Sequence, residues 1–359
     1  MSPKSVSFLA IALVAILAAP VMSAVADADA GQSSGFYRDQ LDANGQGLYD
    51  EVAATLAALE EAPVNEAKVS YTMSSVPSTE ADAVSYAQSV VSDALAALYL
   101  SDPSYVWLWD YPISNVAIGT SSFDPVSGTI AVTFSLAVPD RYADDPETEA
   151  NELAETIADF RGKIETFEGD ALSIVQSVNN VLRDTRVSDD REATEDQKAT
   201  VSSPLDALNG ESSSAGISAA FTVLCNASGL ECVTVRGYAP SDDAEDGRET
   251  VYWNLVMYEG GWYGVDCTLN SEEAKNCLLA GSSTRMVVGG TYERFGGIRA
   301  ADLDMADPNS LEAPSMAVVG YEWPDDSTFL EKYGLYIILV LMCVIIFGVL
   351  IHAMRNGAL

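Results

Sequence analysis

The chain has 359 residues and a formal net charge of −35 at neutral pH. All 53 acidic residues, but only 16 of the 18 basic ones, lie between two hydrophobic ends that carry no acid. Such a surplus repels nucleic acid and anionic lipid surfaces, so neither is expected as a partner, and a solvated acidic surface is preferred over a specific cation-binding role.

At the N-terminus, Lys4 precedes an uncharged apolar run from Phe8 to Ala19, then Pro20 and the small residues Ser23, Ala24 and Ala26. A basic start, a short apolar middle and small residues are the order of a secretory signal. Residues 1–26 are read as that signal, with cleavage near Ala24 or Ala26, because the run falls short of the roughly 20 residues a bilayer core requires. Residues 36 to 61 then place Leu48, Val52, Leu56 and Leu59 at helical spacing. Thr79 with Asp82 resembles a capping box and opens a second helix with the stripe Val84, Ala87, Val91, Leu95 and Leu98, stopped by Asp102 and Pro103. The aromatic residues Tyr105, Trp107, Trp109 and Tyr111 are expected to pack in the core. Ser114–Ser122 and Thr129–Val138 read as a hairpin about an Asp124–Gly128 turn, with Ile130, Val132, Phe134, Leu136 and Val138 on one face. Helical spacing returns from residue 145 to about 183 and breaks near Gly169.

A charged stretch, residues 184–203, marks a surface loop. Beyond it a helix is predicted over Ser214–Ala227, ended by Gly229, and strands over Cys232–Tyr238, Thr250–Tyr258 and Trp262–Thr268, with the acidic loop Ser241–Glu249 between the first two. Helix followed by antiparallel strands makes the fold class α+β. Asp242, Asp243, Glu245, Asp246 and Gly247 look like a calcium loop, but Ala244 fills a ligand position and Trp253 stands where the closing glutamate belongs. No exported histidine and no CxxC spacing exist, so no metal and no cofactor is expected. Of the five cysteines, Cys225, Cys232, Cys267 and Cys277 precede the last hydrophobic run. Proximity suggests Cys225 with Cys232 and Cys267 with Cys277, and free buried thiols are the equal alternative. The sequon Asn226-Ala-Ser228 abuts a predicted core helix and is discounted.

Leu335 to Ile351 is unbroken apolar sequence, long enough with its neighbours to span a bilayer. Acids precede it and Arg355 follows, so residues 333–353 are read as a transmembrane helix, with 354–359 a cytoplasmic stub and the remainder outside the cell.

The run GISAAFTVLCNASGLECVTVRGY followed by VYWNLVMYEGGWYGVDCT resembles the transglutaminase-like (papain-like cysteine hydrolase) superfamily, exported prokaryotic type. Its framework positions are held by Gly216, Ala219, Phe221, Leu224, Gly229, Val235, Gly237, Trp253, Asn254, Trp262, Tyr263, Asp266 and Thr268, and the upstream Asp102-Pro-Ser-Tyr-Val-Trp107 resembles a segment that precedes this domain. The resemblance implies a papain-like or transglutaminase-like core, a helix packed on an antiparallel sheet. It divides the chain into a helical and β-hairpin region (27–140), the transglutaminase-like domain (141–295), a juxtamembrane segment (296–332), the membrane helix and the stub. It also implies a cysteine at a helix start, a histidine base and a carboxylate that orients the imidazole. Those positions hold Ser214, Val251 and Asp266, and the single histidine of the chain is His352. The resemblance therefore implies a catalytically inactive domain that binds an extracellular protein, peptide or cell-envelope polymer, with Trp253, Asn254 and Trp262 as cleft-binding residues. The alternative is an amide-bond hydrolase or acyltransferase using Ser214 with Asp266. Tyr252 or Lys275 as a substitute base needs a large pKa shift.

Overall fold

The computed structural model describes residues 35–109, 118–139, 149–183, 185–187, 203–240, 248–267, 278–281, 286–288, 292–294 and 311–321. The signal segment, Tyr111, most of the 184–203 loop, the loop at 241–247, Lys275, Cys277, the transmembrane span at 333–353 and the stub lie outside them. Among the described residues no helix is long and apolar enough to cross a membrane.

The architecture is α+β. Its elements run α1 (Ala43–Glu61), β1 (Glu66–Ser74), α2 (Glu80–Ser101), β2 (Ile118–Asp124), β3 (Thr129–Ala137), α3 (Glu149–Lys163), α4 (Ala171–Leu182), β4 (Arg186–Val187), α5 (Pro204–Leu208), β5 (Glu211–Ser212), α6 (Ser214–Ala227), β6 (Cys232–Pro240), β7 (Arg248–Tyr258), β8 (Gly261–Val265), β9 (Met286–Val288) and β10 (Tyr292–Arg294). Two antiparallel three-stranded sheets dominate, with orders β1-β3-β2 and β6-β7-β8. A β9–β10 ribbon and a short parallel β4–β5 pair complete the described strands.

Helix α1 starts later than its periodicity suggests because Asp42 caps it, its carboxylate accepting the Gly45 N–H at 2.8 Å. Helix α2 starts where predicted: Thr79 Oγ1 accepts the Asp82 N–H and donates to the Asp82 carboxylate. Its predicted stripe is too narrow. Every residue from Asp93 to Ser101 is buried, whereas Val84 is only half-buried, the mark of a helix covered on all sides. The cover comes from α1, from β2 and β3 of the first sheet, and from β6 of the second.

The first sheet contains a strand that the hairpin reading omits. Strand β1 pairs antiparallel with β3 from Glu66↔Ala137 to Ser74↔Thr129. Only Val69 and Met73 of β1 are fully buried, and Glu66, Lys68 and Ser70 are weak strand formers, so the segment lacks a strong local signal. In β3 the alternation is clean, with Ile130, Val132, Phe134 and Leu136 buried. Trp107 and Trp109 are buried as expected. Their indole N–H groups donate to the carbonyls of Val64 and Pro103, and Trp109 meets Phe160 of α3 edge to face at 5.1 Å.

The chain beyond β8 is also built into the fold. Trp262 O accepts the Ala317 N–H at 2.8 Å, and Gly264 exchanges two backbone hydrogen bonds with Ala280, each 2.8 Å. These contacts cover the outer edge of β8. Gly281 approaches the backbone of Val318–Gly320 so closely that a Cβ there would lie 2.4 Å from it. Residues 311–320, part of the expected juxtamembrane segment, pack on the domain, with Leu311 buried in the common core.

Leu95 is fully buried between these layers. Leu95→Ala is expected to destabilise the protein by about 2–5 kcal/mol, and Leu95→Met by less than about 1.5 kcal/mol, measured by denaturant unfolding.

Asp102, at the end of α2, has its carboxyl raised above the usual range by burial; the Ser104 hydroxyl, the Ser104 N–H and Arg161 oppose that shift. A carboxyl raised on folding contributes stability that is complete below its unfolded value near 3.9 and is lost as pH rises through the folded value. Relative to Asp102→Asn, the native chain should therefore gain stability as pH falls from 7 towards 4. Parallel thermal melts over that range test this, and a difference that ignores pH overturns it.

Candidate functional site

The region singled out by sequence is built on α6 and the second sheet. From Ala215 to Cys225 every residue of α6 is buried, so its polar side chains must find partners inside the protein. The helix packs on β6 and β7, with α4 and α5 against it. Its N-cap is Ser213, whose hydroxyl accepts the Gly216 N–H at 3.5 Å. Ser214, where the resemblance calls for a cysteine, is therefore the first helical residue, half-buried.

The register of the sheet places the other two positions. Val251 on β7 stands opposite Gly237 on β6. Asp266, 3% exposed, follows Val265, which pairs with Asn254. Continuing that register by one residue brings Asp266 level with Trp253, diagonal to Val251. The β7–β8 turn sets this register: Glu259 and Gly260 both adopt positive φ, +47° and +80°, the backbone of a two-residue hairpin loop that glycine makes accessible.

Asn254 is 1% exposed and belongs to the helix–sheet joint. Its Nδ2 donates to Ser218 O at 2.8 Å and to Thr222 Oγ1 at 2.9 Å, which uses both amide hydrogens. Thr222 Oγ1 lies 2.9 Å from Thr234 Oγ1, and Thr234 Oγ1 donates to Ser218 O at 3.4 Å. From the start of the described chain, Tyr37 donates its buried hydroxyl to Thr234 O at 3.0 Å. Trp253, 7% exposed, shares the main hydrophobic core. Trp262, 8% exposed, meets Phe36 edge to face at 5.6 Å. In this conformation all three residues expected to line a cleft are enclosed, and Asn254 retains no amide hydrogen for a ligand.

The thiol of α6 is remote from Ser214. Cys225 lies eleven residues after Ser214, about 16 Å along the helix axis. Cys225, Cys232 and Cys267 are buried and form no disulfide, so of the two readings of the cysteines the structure carries the buried thiols for these three. Burial pushes the Cys225 thiol far up, and its contact with Cys232 and the nearby Cys267 add to the effect. A thiol held protonated in this way is not a nucleophile. Among the described residues no cluster of His, Cys, Asp and Glu is arranged to hold a metal ion. The sequon asparagine is structural: Asn226 Nδ2 donates to Ser101 O at 3.0 Å, and its Oδ1 accepts the Cys232 N–H at 3.1 Å.

No family model matches the chain, and no curated protein does. One solved structure that matches is described as that of a candidate cysteine protease from Cytophaga hutchinsonii. It is 11% identical, with a TM-score of 0.23, over 45% of this chain and 69% of that one. A likeness of that size carries no argument about this chain.

Sequence reasoning missed Ser213 as the cap and Tyr37 as a partner of β6. The serine run Ser212–Ser213–Ser214 offered several caps, while Tyr37 reaches across 197 residues with no local signal.

Asn254→Ala is expected to cost about 1–3 kcal/mol, because it takes the amide away from the buried Ser218 O and Thr222 Oγ1 of α6. Asn254→Ala combined with Thr222→Val should cost less than the sum of the two single changes. A double-mutant cycle by chemical denaturation reads the coupling, and strict additivity overturns the network.

Proposed function

We propose that the chain is a surface-displayed, catalytically inactive transglutaminase-like domain that binds an extracellular peptide, protein or cell-envelope polymer. In this reading the N-terminal segment directs export, and the helix at 333–353 holds the domain at the outer face of the cell membrane, with the short C-terminus inside. The observation that carries the proposal is chemical. The chain has one histidine, His352, within the hydrophobic C-terminal run, so no imidazole accompanies Ser214 or Asp266.

Three structural facts support the reading. A helix on an antiparallel sheet is the arrangement the resemblance calls for. Ser214 heads that helix but carries a hydroxyl, a far weaker acid than a thiol, which needs a general base to attack near neutral pH. The nearest thiol in the helix, Cys225, is buried and held protonated. A general base contributes about 10²–10⁴-fold to such reactions, and Val251 supplies none.

The test uses the full-length protein, an amine donor, a glutamine peptide and probes directed at serine and at thiols. No turnover and no labelling of Ser214 are expected. The three described cysteines should react only after denaturation, and Ser214→Ala should leave saturable binding to envelope fractions unchanged. Amide turnover abolished by Ser214→Ala establishes the hydrolase or acyltransferase instead, and absence of saturable binding sinks the module.

A further inference from the structure

Residues 311–317 lie on the domain as a bound peptide lies on its receptor. The segment meets β8 in an isolated bridge, Trp262↔Met316. Its main chain is held near both ends. Gln40 donates Nε2–H to Glu312 O at 2.9 Å and accepts the Glu312 N–H at 2.7 Å through Oε1, and Trp262 O accepts the Ala317 N–H at 2.8 Å. Its side chains divide by position: Leu311 and Pro314 are buried, Ala313, Met316 and Ala317 are half-buried, and Glu312 and Ser315 are exposed. Leu311 and Pro314 are three positions apart, one turn of polyproline II.

Hydrogen bonds to main chain supply affinity in such recognition, and seats for selected side chains supply specificity. The bonds at Glu312 and Ala317 read backbone and not side chain, so another chain in the same conformation can make them. Those at Gln40 are exposed to solvent, and exposed backbone bonds belong to the part of a fold that opens at low cost. Trp262, expected to line a cleft, contributes its carbonyl to this seat.

We propose that the seat of residues 311–317, between Gln40 and the edge of β8 at Trp262, is a peptide-binding site that the chain's own segment closes as an intramolecular ligand. An extended peptide of a partner protein displaces it. Such a peptide carries a large apolar residue and, three positions on, a proline. Charge selects a foreign peptide over a second copy of this chain. With 53 acidic residues against 18 basic ones, two copies repel each other, whereas a peptide with cations at the outward positions of Glu312 and Ser315 is attracted. The proposal rests on the binding role given above and supplies its ligand class.

The experiment titrates the full-length protein, in detergent micelles, with a synthetic peptide of residues 309–319 blocked at both ends. Glu312→Pro with Ala317→Pro in the protein removes the two N–H groups that hold the segment, and should tighten peptide binding at least about tenfold. In that opened protein, Gln40→Leu should weaken binding at least about tenfold, and Leu311→Asp in the peptide should abolish it. Glu312→Lys with Ser315→Lys in the peptide should strengthen binding at low salt, an advantage lost at high salt. The native protein gives a measurement that needs no variant: saturating peptide should speed hydrogen exchange at the Glu312 and Ala317 amides, because it sets the segment free. No saturable binding to the folded opened protein, binding indifferent to Leu311→Asp in the peptide, or exchange at those amides unchanged by peptide overturns the site. Copies that pair with each other until peptide is added show the occupant to be a second copy and overturn the partner. Such failures leave envelope binding intact, whereas amide turnover would sink the inactive-module reading without altering the peptide exchange.

Discussion

A helix buried on every side has nowhere to send its polar groups except into the protein, and α6 is such a helix. The amide of Asn254 answers that constraint, spanning Ser218 O and Thr222 Oγ1 while Thr234 closes the network from β6. Because Asn254 and Thr234 are register partners, one slip of β6 against β7 would separate them and turn every side chain to the wrong face. The network therefore fixes helix and sheet in one relation. Tyr37 extends the same constraint to the start of the described chain through Thr234 O. Tyr252 beside Arg236 and the positions of Val251 and Asp266 inherit their placement from that register.

Local signals in the sequence were strong where burial is one-sided and short-range. The alternation of β3, the cap at Thr79 and the limits of α6 were all legible, since each depends on residues within a few positions of one another. What escaped depends on distant chain. Strand β1 has two fully buried side chains and finds its partner after α2 and β2, so neither periodicity nor a turn announces it. The full enclosure of α2 was equally hidden: a stripe such as Val91, Leu95 and Leu98 declares one apolar face, while small residues such as Ala94, Ala96 and Ala97 take cover only once sheets lie on both sides. For the candidate site, the positions of Ser214 and Asp266 on their elements could be read ahead of the structure. The inward engagement of Asn254 could not, because an asparagine at a motif position reads the same whether it serves a ligand or the helix behind it.

Residues 311–320 show how an edge strand is closed by distant sequence. Gln40 clamps Glu312 from both sides, donating Nε2–H to its carbonyl at 2.9 Å and accepting its N–H at 2.7 Å through Oε1. This side-chain amide imitates a strand partner across 272 residues. Together with the Trp262–Ala317 bond and the close passage at Gly281, it removes the exposed backbone edge that β8 otherwise presents to other chains. The start of the folded unit and the segment after its second sheet are thereby tied together, so the two ends support a single core.

Stability and chemistry make opposite demands on the head of α6. A reactive thiolate with a buried imidazole and carboxylate is a set of charged, partly desolvated groups that a fold must tolerate. Here the serine run caps the helix, valine occupies a strand position that branched apolar residues favour, and the carboxylate of Asp266 is enclosed near the end of β8. Serine and valine at these two positions carry no charge to desolvate, so the network around Asn254 holds the frame without that cost.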